Sequence, residues 1–156
     1  MKIIDILCQS AVSVSLKARN KEEMLSELAD LLVSSGKIKK TERTDVLKRI
    51  KEREIMGSTG IGKGVAIPHA KCPKMKDMVA AFGVCREGID FKSLDGEPTY
   101  IFFMLIAPGE TPGPHLMALA KISKLLDDKF VRDRLRHSST AQEAYKIIKD
   151  EEQKSR

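Results

Sequence analysis

The stretch Thr99-Tyr100-Ile101-Phe102-Phe103-Met104-Leu105-Ile106 contains no charged residue. An unbroken apolar run of this kind, rich in aromatic and β-branched side chains, reads as a strand covered on both faces. Such a strand belongs in the middle of a sheet that carries helices on either side. Outward from it, residues 79–85 are small and apolar and predict a second strand, and 65–68 predict a short third. Between the first two, residues 88–91 fit a brief edge strand and Asp95-Gly96 a tight turn. Residues 11–17 alternate apolar and polar side chains, the pattern of a half-buried strand.

The helices announce themselves by their ends. Asn20-Lys21-Glu22-Glu23 resembles a capping box, opening a helix that buries Met24, Leu25, Leu28, Leu31 and Leu32 and stops at Gly36. A second helix is predicted over 42–54, capped by Thr41, with Val46, Leu47 and Ile50 as its stripe and Gly57 beyond its end. The loop Pro108-Gly109-Glu110-Thr111-Pro112-Gly113-Pro114 leads to a helix starting near His115. That helix is expected to carry Leu116, Leu119, Ala120, Ser123 and Leu126 on one face, with Ile122 and Leu125 beside it. A short helix over 129–136 follows. Thr140-Ala141-Gln142-Glu143 is a capping box for a last helix that buries Ala144, Ile147 and Ile148, with residues after Glu151 expected to fray. The order predicts an α/β fold: a mixed sheet flanked by helices on both faces, one domain over residues 1–156.

Composition narrows the function. A chain of 156 residues, 42% apolar and 32% charged, suits one globular core. The net charge of +6 is modest, and with no Trp and 4% aromatic residues the chain lacks the basic-aromatic surface that binds nucleic acid. No apolar run approaches the ~20 residues that span a bilayer. Asp5 interrupts what would be the core of a signal peptide, so a cytoplasmic protein without membrane insertion is expected. Cys8, Cys72 and Cys85 form no C-x-x-C pair and read as reduced thiols.

One segment concentrates the chemistry. In Gly60-Ile61-Gly62-Lys63-Gly64-Val65-Ala66-Ile67-Pro68-His69-Ala70-Lys71 a glycine-rich loop runs into a short apolar strand that ends on an imidazole. From Ile55 to Lys76 there is no Asp or Glu, and Lys63, Lys71, Lys74 and Lys76 supply positive charge. A nucleophilic ring in a cationic setting suits an anion, a phosphoryl group above all. A metal hydrolase built on His69, Cys72 and His115 lacks a carboxylate base in this segment. The glycine spacing is neither a P-loop nor a dinucleotide fingerprint. Of the three histidines, His137 sits among Arg and Ser near a helix end and reads as a surface residue. His69 and His115 each stand where a Gly/Pro-rich loop meets a regular element. A phosphoryl acceptor must be a neutral imidazole. A helix N-terminus keeps His115 neutral, so it could donate an N–H to phosphoryl oxygens or orient His69. Arg53 precedes the glycine loop and offers a forked donor for phosphate, with the amides of Ser58, Thr59 and Gly60 as supplements. Ile61, Ile67 and Met56 are expected to form an apolar docking surface around the site.

Taken together, Arg53-Glu54, Gly57-Ser58-Thr59-Gly60-Ile61-Gly62, Gly64-Val65-Ala66-Ile67-Pro68-His69, Gly88-Ile89-Asp90-Phe91, Leu94-Asp95-Gly96, the run from Phe102 to Pro108, and His115-Leu116 resemble a known family. It is the enzyme IIA domain of the fructose/mannitol type from the bacterial phosphotransferase system, including its nitrogen-regulatory branch. The resemblance spans about residues 3–149. It implies the α/β sandwich of that family, with His69 as the phosphorylated histidine, modified on Nε2, His115 as the second active-site histidine and Arg53 as the active-site arginine. It implies a phosphoryl donor of the HPr type or its nitrogen-branch counterpart. The recipient would be a cysteine on an enzyme IIB, or a regulatory protein that reads the phosphorylated state. No metal or organic cofactor is implied. Ala70 stands where the family often has Gly.

Overall fold

The computed structural model describes residues 1–109 and 112–154. In chain order its elements are β1 (Val12–Ser13), α1 (Lys21–Ser34), α2 (Arg43–Ile55), β2 (Gly60–Gly62), β3 (Val65–Ala66), β4 (His69–Lys71), β5 (Val79–Ile89), β6 (Thr99–Ala107), α3 (Pro112–Asp127), α4 (Lys129–Arg136) and α5 (Ala141–Lys154), with short 3₁₀ turns between them. The strands form one mixed sheet in the order β1-β5-β6-β3-β2, and β4 also pairs with β6. Helix α1 packs on α2, helices α3, α4 and α5 pack on one another, and both groups contact the sheet.

The uncharged run forms β6, and residues Ile101, Phe102, Phe103, Met104, Leu105, Ile106 and Ala107 are all buried. Successive strand residues point to opposite faces. Phe103 meets Phe82 edge-on at 5.5 Å, and Phe102 meets Phe91 at 5.4 Å. Both faces of β6 thus carry aromatic packing, and the element ends where Pro108 interrupts it.

Strands β3 and β4 lie end to end along β6. Val65 pairs with Ile101 and Ala66 with Phe102, then His69 with Leu105, Ala70 with Ile106 and Lys71 with Ala107, all parallel. The register is the same on either side of Ile67-Pro68. Pro68 has no N–H to give, so it interrupts the ladder without displacing it. Its carbonyl still accepts from the Leu105 amide at 2.9 Å. His69 is therefore carried by the central strand of the sheet. Ala70 occupies ordinary strand backbone, where a methyl group fits.

Several expectations are corrected. The strand foreseen over 11–17 shrinks to two residues, preceded by a 3₁₀ turn at Gln9–Ala11. The reason lies in its amides: the Leu16 N–H bonds Val84 at 3.1 Å, but those of Lys17 and Ala18 turn to the Glu27 carboxylate, at 3.0 and 2.8 Å to Oε1. Thr41 does not cap α2. It lies in a 3₁₀ turn, Lys40–Glu42, whose Glu42 carboxylate accepts the Lys39 N–H at 2.7 Å. The separate edge strand at 88–91 is instead the end of β5, whose pairing with β6 becomes irregular between Val84 and Ile89.

Helix α3 begins at Pro112, not His115; Glu110 and Thr111 of the loop lie outside the described residues. Its buried face is His115, Ala118, Ile122, Leu125 and Leu126, while Leu116 points away and is 67% exposed. Helix α5 runs on to Lys154, and the Glu152 carboxylate accepts the Ile3 N–H at 2.5 Å. Ser155 and Arg156 lie outside the described residues. Asn20 caps α1 by accepting from the Glu23 N–H at 2.9 Å, and Thr140 caps α5 by accepting from Glu143 at 3.0 Å.

Candidate functional site

Three elements meet at the C-terminal end of β6. The end of α2, strand β4 and the first turns of α3 enclose an open cleft of about 510 Å³, lined by Arg49, Glu52, Arg53, Met56, His69, Ala70, Lys71, Pro112, His115, Leu116 and Leu119. The two helices contribute to it in the same way. Residues 49, 52, 53 and 56 on α2, and 112, 115, 116 and 119 on α3, each follow the i, i+3, i+4, i+7 spacing of one helical face. That periodicity was the signal that could have revealed Arg49, Glu52, Pro112 and Leu119, which residue-by-residue reading missed.

The structure brings His69, His115 and Arg53 to this cleft. The two imidazoles stand 5.6 Å apart between ring centroids, at 70° to one another. Nδ1 of His69 lies 2.8 Å from the Ile67 carbonyl. A carbonyl can only accept, so Nδ1 carries the proton, and in the neutral ring Nε2 keeps its lone pair. Burial lowers the pKa of His69; the Ile67 bond opposes this, the Arg53 charge adds to the lowering, and the Glu54 charge opposes it. His115, in the first turn of α3, is 5% exposed. Its pKa is also lowered, by burial first and then by His69 and Lys71. Its Nε2 is buried with no hydrogen-bond partner among the described residues. The site thus holds two rings biased towards the neutral form, one with a defined free nitrogen and one with a buried polar atom uncommitted.

Arg53 donates from Nη1 to the Gly57 carbonyl at 2.8 Å. This ties it to the chain leaving α2 and uses one edge of a guanidinium that has five N–H donors in all. Lys71 is the lysine of the local cluster that lines the cleft; Lys63 instead pairs with Asp127 at 2.8 Å.

Ser58, Thr59 and Gly60 do not line this cleft. The Thr59 N–H goes to Glu54 Oε1 at 3.1 Å, the Gly60 N–H to Ser58 Oγ at 3.0 Å, and the Ser58 hydroxyl to the Phe91 carbonyl at 2.8 Å. The amides of Thr59 and Gly60 and the Ser58 hydroxyl are committed to building the loop. The expected apolar surface changes too. Met56 is 81% exposed beside the site, but Ile67 is buried, and Ile61 lines a separate small pocket with Ser123 and Leu126 near the far end of α3. Leu116 and Leu119 take their place on the rim. Cys72 is buried, and burial pushes its thiol up to about 11, as suits a packing residue. His137 is exposed at the end of α4 with Nδ1 2.7 Å from the Asp133 carbonyl.

The family model for the phosphoenolpyruvate-dependent sugar phosphotransferase system, EIIA 2, matches residues 5–151, and the chain belongs to that family. It is 36% identical to a nitrogen regulatory protein of Bradyrhizobium diazoefficiens over 148 residues, which is 95% of either chain. It is 34% identical to the fructose-specific EIIABC component of Bacillus subtilis, over 95% of this chain but 23% of that protein. Among solved structures, the nitrogen regulatory protein IIA-Ntr from Neisseria meningitidis matches with a TM-score of 0.85 at 32% identity, covering 94% of this chain and 98% of that one. The mannitol IIA of Escherichia coli shares the fold, with a TM-score of 0.76 at 20% identity over 90% of this chain and 97% of that one. No helix among the described residues is long and apolar enough to cross a membrane.

Proposed function

We propose that this protein is a phosphocarrier acting in the cytoplasm, with Nε2 of His69 as the phosphoryl acceptor. The observation that carries this reading is the bond from His69 Nδ1 to the Ile67 carbonyl, which leaves Nε2 as the nitrogen with a lone pair. In the forward step the Nε2 lone pair forms a bond to phosphorus. The N–P bond of a phosphohistidine on an HPr-type donor breaks, and its electron pair returns to the donor's ring. One imidazole replaces another, so the equilibrium stays near balance and catalysis is mostly alignment and charge stabilisation. Arg53 and an N–H of His115 offset charge on the phosphoryl oxygens. In the second step a cysteine thiolate of an enzyme IIB attacks the phosphorus, and the pair returns to Nε2. The mannitol IIA, a fold relative, has been solved in complex with phosphorylated enzyme IIB.

A second reading keeps the same site and changes the recipient. Two relatives matched over at least 95% of this chain, at 36% and 31% identity, are named nitrogen regulatory proteins. In that reading phosphorylation of His69 switches binding to a regulatory protein. The test is incubation with phosphoenolpyruvate, enzyme I and HPr. One phosphoryl group should be gained, labile in acid and stable in alkali, and none in His69→Ala. Full labelling of that variant would refute the assignment. Passage of the label to an enzyme IIB separates the carrier from the switch.

A further inference from the structure

Behind His69 runs a line of hydrogen bonds that starts on the opposite side of the glycine loop. Glu54 is the penultimate residue of α2 and is 8% exposed, unusual for a carboxylate on a helix rich in charge. Among the described residues its hydrogen-bond and ion-pair partners are all donors. Lys21 lies 2.7 Å from Oε1, the Thr59 N–H reaches Oε1 at 3.1 Å, and the Thr59 hydroxyl donates to Oε2. Lys21 is itself held, its ammonium 4.7 Å from the centre of the Phe91 ring. From Thr59 the line continues through backbone. The Thr59 carbonyl accepts the Ile67 N–H at 3.0 Å, and the Ile67 carbonyl accepts from His69 Nδ1 at 2.8 Å.

Each link has a geometric consequence. A buried carboxylate with three donors is fixed in place, because moving it would leave those donors unpaired. Thr59 is held at both its N–H and its hydroxyl, and the peptide plane that carries its carbonyl is held at its other end by the Gly60 N–H, which donates to Ser58 Oγ at 3.0 Å, so the carbonyl stays turned to Ile67. Ile67 precedes Pro68, so its ψ is confined to the extended region. With its N–H pinned by Thr59 and its ψ confined by Pro68, the direction of its carbonyl is set. That carbonyl decides which nitrogen of His69 holds the proton.

We propose that Glu54, braced by Lys21, is a positioning residue that fixes the protonated nitrogen of His69 through Thr59 and Ile67. Glu54 touches neither the phosphoryl group nor the partner's reacting atoms. It acts by holding the loop whose strand presents the ring. The role in transfer rests on the phosphocarrier reading; the control of the ring tautomer does not.

The test is long-range ¹H–¹⁵N correlation on full-length protein labelled in its histidines, at a pH where His69 is neutral. Wild type should show one His69 species with Nδ1 protonated and Nε2 bare. Thr59→Val, which keeps shape but removes the hydroxyl, and Glu54→Gln, which removes the charge that holds Lys21, should both show a mixture of tautomers. Thr59→Ser, which keeps the hydroxyl, should restore the single species. Initial rates of phosphoryl acceptance should fall by roughly ten- to a hundredfold in the first two variants, the scale of a small misplacement of a reacting group. A single Nδ1–H species in both Thr59→Val and Glu54→Gln would overturn the proposal, even if their labelling slowed. If Glu54→Gln does not fold, Thr59→Val against Thr59→Ser decides alone. A tautomer that responds while wild type takes no label would uphold the positioning and remove the carrier function.

Discussion

On the proposed phosphocarrier reading, the chemistry at His69 depends on a ring that stays uncharged. Its pKa is lowered by burial, and the Arg53 charge adds to that lowering. A lowered value means the neutral nucleophile persists as pH falls below the ordinary imidazole value of about 6.5. Phosphoryl acceptance should therefore hold its rate below that pH and fail only on further acidification. Arg53→Ala removes one of the causes, so its acid limb should move to higher pH, in addition to a lower plateau. Stopped-flow or quench-flow rates across pH 5 to 8, with the donor's own titration subtracted, check both. An unshifted limb in the variant would detach Arg53 from the ring. His69 and His115 stood out in the sequence because each broke a pattern, one closing an apolar strand and the other following a Pro/Gly loop, and the fold brings both to one cleft. A glycine-rich loop advertises free N–H groups without showing that Glu54 and Ser58 have taken those of Thr59 and Gly60. Two of the donors to Glu54 come from Thr59, five residues on, but the cation that pairs with it, Lys21, is far away along the chain.

Among the elements, the central strand was the easiest to foresee, because a strand covered on both faces needs no polar residue. The short strands were hard. β1 and β3 span two residues each, and β2 and β4 three. Elements of that length exist only by virtue of the neighbour they pair with. The face of α3 was misjudged because Leu116 and Leu119 look like core until the buried His115 and Ala118 show which side faces the sheet. Packing also sets limits on β5. A methyl group added at Gly83 would lie 2.3 Å from Leu16 Cδ1. Gly83→Ala should thus push Leu16 off the sheet and cost about 1–3 kcal/mol, the usual range for overpacking. Urea unfolding measures it, and an unchanged midpoint would mean that the 11–18 segment yields without cost. Loss of Leu16 packing should leave phosphoryl acceptance intact, because β1 and β4 lie on opposite sides of the β5-β6 pair.

Over the whole molecule, the cleft opens on a rim that bears large apolar side chains. Met56 and Leu116 are 81% and 67% exposed, so their removal costs the fold little. A charge at this rim should act on encounters alone. Leu116→Asp should keep its unfolding free energy within about 0.5 kcal/mol of wild type. Its labelling by a small phosphoramidate should be unchanged, while transfer from a protein donor slows by about tenfold or more. Equal slowing with both donors would show that Leu116 serves the reaction itself.

The proposed acceptor hangs from the sheet, whereas the apolar rim around it is borrowed from two helix faces. Reactivity and acquaintance are thus inherited separately. If the carrier reading holds, a few exchanges of side chain at positions such as 56, 116 and 119 would send the same cargo to a new correspondent, so that a transport component and a signalling protein could share one chassis.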